Sequence, residues 1–216
     1  TSSQLAMLRY QINPHFLFNT LNSISTLVLL KQTEPANAML SRLSSFLRYT
    51  LVNEPTAEVT LDQEIDTLKL YLDIEKMRFE DRLRVRFDID PRASQVLLPS
   101  LLLQPIIENA IKYAVTPSEE GADIVVTAHL IGQNVRIVVS DNGNGLMPSA
   151  SSSTPSTGVG LANIRDRLGQ AYGENHRFDA RAAPGGGFKV LIEIPYVVSG
   201  DRDEQQPLEA KASQTA

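Results

Sequence analysis

The sequence predicts a helical hairpin that pairs with a second copy into a four-helix bundle, followed by an α+β sandwich. Three observations point there. Segments 5–30 and 36–53 carry apolar residues at helical spacing. Beyond residue 80, short runs alternate apolar and polar residues as half-buried strands do, with helical stretches between them. Charge also divides the chain: residues 1–54 carry four basic and two acidic side chains, and the remainder 16 and 23. Asn53-Glu54-Pro55-Thr56 reads as the linker. The organisation expected is a helical module over 1–54, an α+β module over 55–198 and a tail over 199–216. The tail, SGDRDEQQPLEAKASQTA, has almost no large apolar groups and is expected to be disordered.

The first helix is read from Leu5, Leu8, Ile12, Phe16, Leu17, Leu21, Ile24 and Val28. Its stripe changes phase near Pro14, where a kink is expected. After the break KQTEP, Met39, Leu40, Leu43, Phe46, Leu47, Thr50 and Leu51 recur near a 3.5 period. Two helices this apolar cannot bury both faces alone, so a homodimer is expected; a hairpin packed on its own second module is the other reading. A helix near 61–80 starts at Thr60 as N-cap, with Asp62 and Glu64 in its first turn. Leu83, Val85, Phe87 and Ile89 alternate with polar residues as a strand. Pro99 is expected to open a helix to about 115. Ile124–Leu130 and Val135–Ser140 form a hairpin about Gly132-Gln133. A helix at about 160–172 and strands near 177–182 and 188–194 complete a mixed sheet covered on one side by helices.

Composition narrows the function. The 216 residues are 42% hydrophobic and 21% charged, which excludes a wholly disordered chain. A net charge of −5 argues against direct nucleic-acid binding. The absence of cysteine removes disulfides, thiolate catalysis and cysteine zinc sites. No apolar run approaches the ~18 residues of a membrane helix. The chain begins without methionine and runs straight into a helical pattern, as expected of a soluble piece of something longer.

Three segments carry chemistry. Glu108-Asn109-Ala110-Ile111-Lys112 lies in an amphipathic helix. Asn109 offers a neutral oxygen to a hard cation such as Mg²⁺, and Lys112, on the same face, can meet a phosphate. Asp141-Asn142-Gly143-Asn144-Gly145 follows a strand, so Asp141 can accept a hydrogen bond from an exocyclic amine while the glycines let backbone approach a flat ring. The third and fifth positions rule out a calcium loop, being Gly, as does Ser152 at the twelfth. Gly158-Val159-Gly160-Leu161 opens a helix, where glycine amides bind phosphate. No GxxxxGK[ST] P-loop is present. Between the last two lies Met147–Thr157, polar and Ser/Pro-rich, fit for a lid or a plain linker.

Taken in this order, the second and third segments resemble the G1 and G2 boxes of the GHKL (Bergerat) ATP-binding fold, shared by sensor histidine kinases, DNA gyrase B, Hsp90 and MutL. LLLQPIIENAIKYA resembles its N box, and LRYQINPHFLFNTLNSIS resembles the phosphoacceptor segment of LytS-type sensor histidine kinases. FLRYTL and VTLDQEIDTLKLYLDIEKMRFEDRL continue that pattern, and the resemblance covers roughly residues 5–196. It implies the cytoplasmic kinase portion of a bacterial two-component system: a dimerisation and histidine phosphotransfer module over 1–54 and a catalytic ATP-binding domain over 55–198. The parent is expected to be anchored in the inner membrane behind an upstream sensor or transmembrane segment. Its partner would be a response regulator with an aspartate acceptor, often of the LytTR type.

The resemblance also implies roles. His15 would take the γ-phosphoryl group of ATP. Asn109 would hold Mg²⁺ and Asp141 would read adenine. Gly143, Gly145, Gly158, Gly160 and Leu161 would shape the adenine pocket and lid, with Lys112 toward phosphate. Many histidine kinases place an acid after the phosphoacceptor; here Phe16 stands there, so Glu108 becomes the candidate base, or else a structural acid. Asn19, four residues after His15, shares its helical face and could orient water for dephosphorylating a partner, or simply pack. Tyr113-Ala114 replaces a His-Gly-like pair, which leaves one phosphate or lid contact in doubt. Three other functions are weighed: an ATP-binding dimeric scaffold, a phosphatase without kinase turnover, and a gyrase- or chaperone-like ATPase. The last lacks a histidine-bearing hairpin.

Overall fold

The computed structural model describes residues 13–52, 57–144 and 156–199. The expectations placed on the first residues, the 53–56 linker, Gly145, most of the Ser/Pro-rich stretch and the tail lie outside the described residues.

Helix α1 (Pro14–Leu29) begins at the proline instead of running through it. Asn13 is extended, and its side chain accepts the His15 N–H at 3.0 Å. Pro14 therefore occupies the first helical position, where its missing N–H leaves no gap. The expected kink is replaced by a capped start two residues ahead of His15. Helix α2 (Thr33–Val52) returns antiparallel, and Phe16, Met39, Leu43 and Phe46 are buried in this chain's own core. Leu43 thus faces inward. The apolar surface left on the hairpin is Phe18, Leu21, Val28, Leu29, Leu30, Leu40 and Leu51.

Strand β1 (Glu58–Thr60) leads into α3 (Leu61–Phe79). Thr60 and Gln63 form a complete capping box, each side chain meeting the other's backbone N–H. Strand β2 (Leu83–Ile89) follows, then β3 (Leu97–Pro99), which pairs antiparallel with β1. Next come α4 (Gln104–Ala110), β4 (Ala122–Ile131), β5 (Asn134–Asp141), α5 (Ser156–Tyr172), β6 (Arg177–Ala182) and β7 (Phe188–Pro195). The main sheet has the order β2-β4-β5-β7-β6; β2 runs parallel to β4 and the other neighbours are antiparallel. Alternation gives it one apolar face: Ile124, Val126 and Ala128 on β4, Val135, Ile137 and Val139 on β5, Val190 and Ile192 on β7. This face joins α3, α4, α5 and the hairpin in one continuous buried cluster.

The sequence places a helix start at Pro99, but Pro99 ends β3 and α4 starts only at Gln104. A buried carboxylate explains the delay. Glu64, on α3, accepts the backbone N–H groups of Leu101 and Leu103, both at 2.9 Å. Leu101 is held at φ 56°. Arg167, on α5, donates to the Leu101 carbonyl at 3.2 Å and to the Ser100 carbonyl. Glu64 and Arg167 thus shape the loop that aims α4. Beyond Ala110 the helix widens into a π turn over Ile111–Val115.

Burial pushes the Glu64 carboxyl up to about 7, against the pull of the two N–H groups and Arg167. Its unfolded value is near 4.5, so folding takes up a proton between the two. Glu64 therefore makes stability fall as pH rises from about 4.5 to about 7, and it adds no further slope above that. Urea unfolding across this window tests it: wild type should lose stability more steeply than Glu64→Gln. Equal slopes would assign the pH dependence to other groups.

Candidate functional site

Two adjoining cavities lie along α4. The first is a slot lined by Ile106, Asn109, Ala110, Val139, Asp141, Leu161, Phe188 and Val190. It is apolar except for Asn109 and Asp141. Its free volume is about 10 Å³, barely room for one water. Asp141 ends β5, and its Oδ1 accepts the N–H groups of Gly143 at 3.0 Å and Phe188 at 3.2 Å. Burial raises its pKa, and the two N–H groups oppose that rise. One oxygen is thus spent on holding the carboxylate, and the other is left to accept from a ligand. Asn142 ties the end of β5 to β4, bonding the Asp123 N–H and carboxylate at 2.7 Å each.

Two glycines are required by contact. At Gly143 an added Cβ would lie 2.6 Å from the Ala114 Cβ. Gly187, at φ 85°, rides against the Asp141 carbonyl. Gly158 and Gly160 fall in the first turns of α5, and a Cβ at Gly160 would lie 3.8 Å from Asn109 Nδ2.

The second cavity is a cleft of about 900 Å³ between α1, α3 and α4. His15 and Asn19 line it from α1, Glu75 and Arg78 from α3, Glu108 and Asn109 from α4, Lys112 from the π turn after it, and Gly160 from α5. His15 is exposed to it, with Nδ1 3.4 Å from Asn19 Nδ2. With the amide nitrogen toward Nδ1, the ring carries its proton on Nε2; half a turn of the amide leaves Nε2 unprotonated. Gln104 donates to Glu108 at 3.2 Å. Burial pushes Glu108 up to about 7, with the nearby Glu75 charge adding to the rise and the Gln104 and Asn13 side chains opposing it.

Asn109 borders both cavities. Its Nδ2 is buried with no hydrogen-bond partner among the described residues. Buried amides are rarely left this way, so a ligand is expected to complete it. A half-turn places Oδ1 there, which suits a hard cation. No cluster of three acidic or histidine side chains able to hold a metal exists among the described residues. Such an ion would take its remaining ligands from phosphate and water. The Lys112 ammonium lies 5.1 Å from the Tyr113 ring centre.

His129 and His176 lie away from the cleft, near Asp88 and the Gly173 carbonyl respectively. Glu75, Arg78 and Arg82 are the cleft residues that sequence reasoning missed. Glu75 and Arg78 stand one turn apart within IEKMRFEDRL, a spacing that signals a helical ion pair. Arg82 donates to the carbonyls of Val115, Thr116 and Ser118 and so closes the end of the π turn.

With this geometry in place, comparisons with known proteins are informative. Residues 3–83 match the histidine kinase family, and residues 95–198 match the histidine kinase-, DNA gyrase B- and HSP90-like ATPases. The chain belongs to the histidine kinase family and carries its ATPase module. Sensor histidine kinase YesM of Bacillus subtilis is 37% identical over 89% of this chain. BtsS of Escherichia coli is 34% identical over 91%, and sensor protein LytS of Streptococcus mutans is 32% identical over 94%. The chain spans about a third of the length of these relatives, 33%, 34% and 36% respectively. The catalytic domain of histidine kinase ThkA superposes with a TM-score of 0.52 at 19% identity, covering 65% of this chain and 97% of that one. That likeness speaks for the fold alone. The ATPase match implies an ATP site, and the fold, relatives and families together fit a two-component kinase.

Gly143→Ala tests whether the close approach of β5 to the π turn shapes the slot. The methyl group must push Ala114 away, a cost of about 1–3 kcal/mol. Thermal unfolding should shift down and ATP affinity should fall with it; unchanged values for both would show that the contact yields freely.

Proposed function

We propose that this chain is the kinase portion of a two-component system, which moves the γ-phosphoryl group of ATP to His15 and then to an aspartate of a response regulator. The observation that carries the proposal is the shared cleft: His15 stands with Glu108, Asn109, Lys112 and Gly160 of the same chain, beside the Asp141 slot. Transfer is therefore proposed to occur in cis.

In the proposed step, the unprotonated imidazole nitrogen of His15 forms a bond to the γ-phosphorus. The bond from that phosphorus to the β–γ bridging oxygen breaks, and ADP leaves with the electron pair. The proton on the other ring nitrogen passes to Glu108, directly or through water. Asn19 orients the ring by its contact with Nδ1, and the same amide is placed to orient a water in the reverse, dephosphorylating direction. Asp141 accepts from the adenine amine, and entry of the ring displaces Leu161 from the slot. The glycines at 143, 145, 158 and 160 leave room for the nucleotide. Lys112 faces phosphate, and Asn109 holds Mg²⁺, which would supply charge neutralisation of the phosphates.

We further propose that the helical module of residues 1–54 dimerises, with 55–198 as the catalytic domain. Leu29 is 80% exposed and Phe18 66%, a burden that a second hairpin would remove. No helix among the described residues is long and apolar enough to cross a membrane. We propose in addition that the module works in the cytoplasm behind a membrane-anchored sensor and that its response regulator is of the LytTR type, a reading supported by the resemblance of its phosphoacceptor segment to LytS-type kinases.

Incubation with ATP labelled in its γ-phosphate tests the kinase reading. Wild type should gain an acid-labile, alkali-stable label, and His15→Ala should gain none while keeping its ATP affinity. Asp141→Asn should weaken ATP binding by about 1.5–3 kcal/mol, the worth of a charge-assisted hydrogen bond. Label retained in His15→Ala would contradict the acceptor assignment. For the dimer, Leu40→Glu with Leu51→Glu should yield monomers by light scattering; a dimer that survives both substitutions would place the interface elsewhere.

A further inference from the structure

Arg78 lines the cleft from the C-terminal turn of α3, whereas Glu108 and Asn109 line it from α4. Its Nη2 meets Glu75 Oε2 at 3.1 Å, and its guanidinium lies 4.4 Å from the Phe79 ring centre. Glu75 is only 3% exposed, whereas Arg78 keeps 28% of its side chain open. A carboxylate this deeply buried is expensive, and a pair of this kind often stabilises no better than apolar residues would. Its retention calls for a use. One is preorganisation: stacking on Phe79 and pinning by Glu75 fix the plane of the guanidinium before any ligand arrives.

The cleft needs a cation on this side. Two carboxylates, Glu75 and Glu108, already face it, and a transferring phosphoryl group brings more negative charge. Arg82 has turned its donors to the carbonyls of Val115, Thr116 and Ser118. Lys112 belongs to the π turn that follows α4, on the side of the cleft that Asn109 lines. Arg78 is the cation contributed by α3, the helix packed against both α1 and α2. A guanidinium has five N–H donors, and the Glu75 carboxylate engages Nη2.

We propose that Arg78 binds the phosphoryl group as it passes from ATP to His15, and that Glu75 positions the guanidinium for this contact. The proposal rests on the kinase reading above and adds a residue to it. Arg78 donates N–H bonds to the equatorial oxygens of the transferring group, where charge is greatest midway between ADP and the imidazole. No bond to Arg78 forms or breaks, and its proton count does not change. Because the contact is made during transfer, it accelerates the step without tightening nucleotide binding. By microscopic reversibility, it also serves the return of the phosphoryl group from His15 to ADP.

The test is single-turnover labelling of His15 at saturating Mg-ATP, read beside ATP and ADP affinities from calorimetry. Arg78→Ala should lose about 10²–10³-fold in rate, the scale seen when one preorganised donor is removed. Affinities for ATP and ADP should each stay within threefold of wild type. Arg78→Lys, which keeps the charge but not the fork, should recover part of the rate and is informative even if Arg78→Ala folds poorly. Glu75→Gln should slow labelling less than Arg78→Ala, since the guanidinium stays but is less firmly held. The return reaction from phosphorylated protein and ADP should slow by the same factor as the forward one. A rate within threefold of wild type in Arg78→Ala would overturn the proposal. So would a parallel loss of ADP affinity, which would make Arg78 a packing element. If wild type itself gains no label, the kinase reading fails; if wild type labels and Arg78→Ala labels equally well, only the role of Arg78 fails.

Discussion

The position of His15 depends on the side chain that follows it. Phe16 is buried against Phe46 of α2 and Tyr71 of α3, with ring centres 5.6 and 4.8 Å away. This three-ring contact joins the hairpin to the long helix that borders the catalytic sheet. Truncating a buried Phe typically costs about 3–5 kcal/mol, enough to make the joint a firm one. Since neighbouring residues on a helix point about 100° apart, anchoring Phe16 inward turns His15 out into the cleft. The residue that stands where many histidine kinases have an acid, directly after the proposed phosphoacceptor, therefore docks the helix. In this packing His15 already lines one cleft with Glu108 and Asn109.

The side of the cleft that α4 forms is shaped by one buried carboxylate and two half-buried guanidinium groups. Glu64 holds the loop before α4, Arg167 holds it from α5, and Arg82 holds the π turn after it. Glu108 and Asn109 on the short helix, and Lys112 on the π turn after it, are thereby held from both ends. The same arrangement ties α3 to α5, which carries Gly160 and Leu161. A displacement of α3 relative to the sheet would pull on the Glu64 carboxylate, on the loop it holds, and through Arg167 on the helix that borders the slot beside Asp141.

Much of this was legible in the residues. Period-two alternation marks β4, β5 and β7 most clearly, because each has one buried face, whereas β6 buries no residue fully. Thr60 with Asp62 and Glu64 behind it, and Gly132-Gln133, announce a helix start and a hairpin through local chemistry alone. What could not be read depends on contacts distant in sequence. Pro99 carries the signal of a helix start, yet the Glu64 carboxylate, 37 and 39 residues away from the two N–H groups it binds, delays that start to Gln104. Pro14 looks like a kink until Asn13 is seen capping the next residue but one. Leu43 and Leu40 differ little on a heptad, and only the packing of Phe16 shows that Leu43 faces this chain and Leu40 faces outward. At the site, the motifs identify Asn109 and Asp141, but Glu75 and Arg78 lie in a helix with no motif of its own. Their meeting with His15 exists only once α1 and α3 are packed.

The central claim is that one chain's own cleft unites the phosphoacceptor with the nucleotide site. A mixed dimer tests it most directly. One subunit carries His15→Ala with an intact ATP site, the other keeps His15 but carries Asp141→Asn, and the two are purified together by different tags. The cis arrangement predicts that this dimer gains almost no acid-labile phosphate from labelled ATP, although each wild-type dimer does. Substantial labelling of His15 in the Asp141→Asn subunit would show that the partner subunit delivers the phosphoryl group, and would contradict the account.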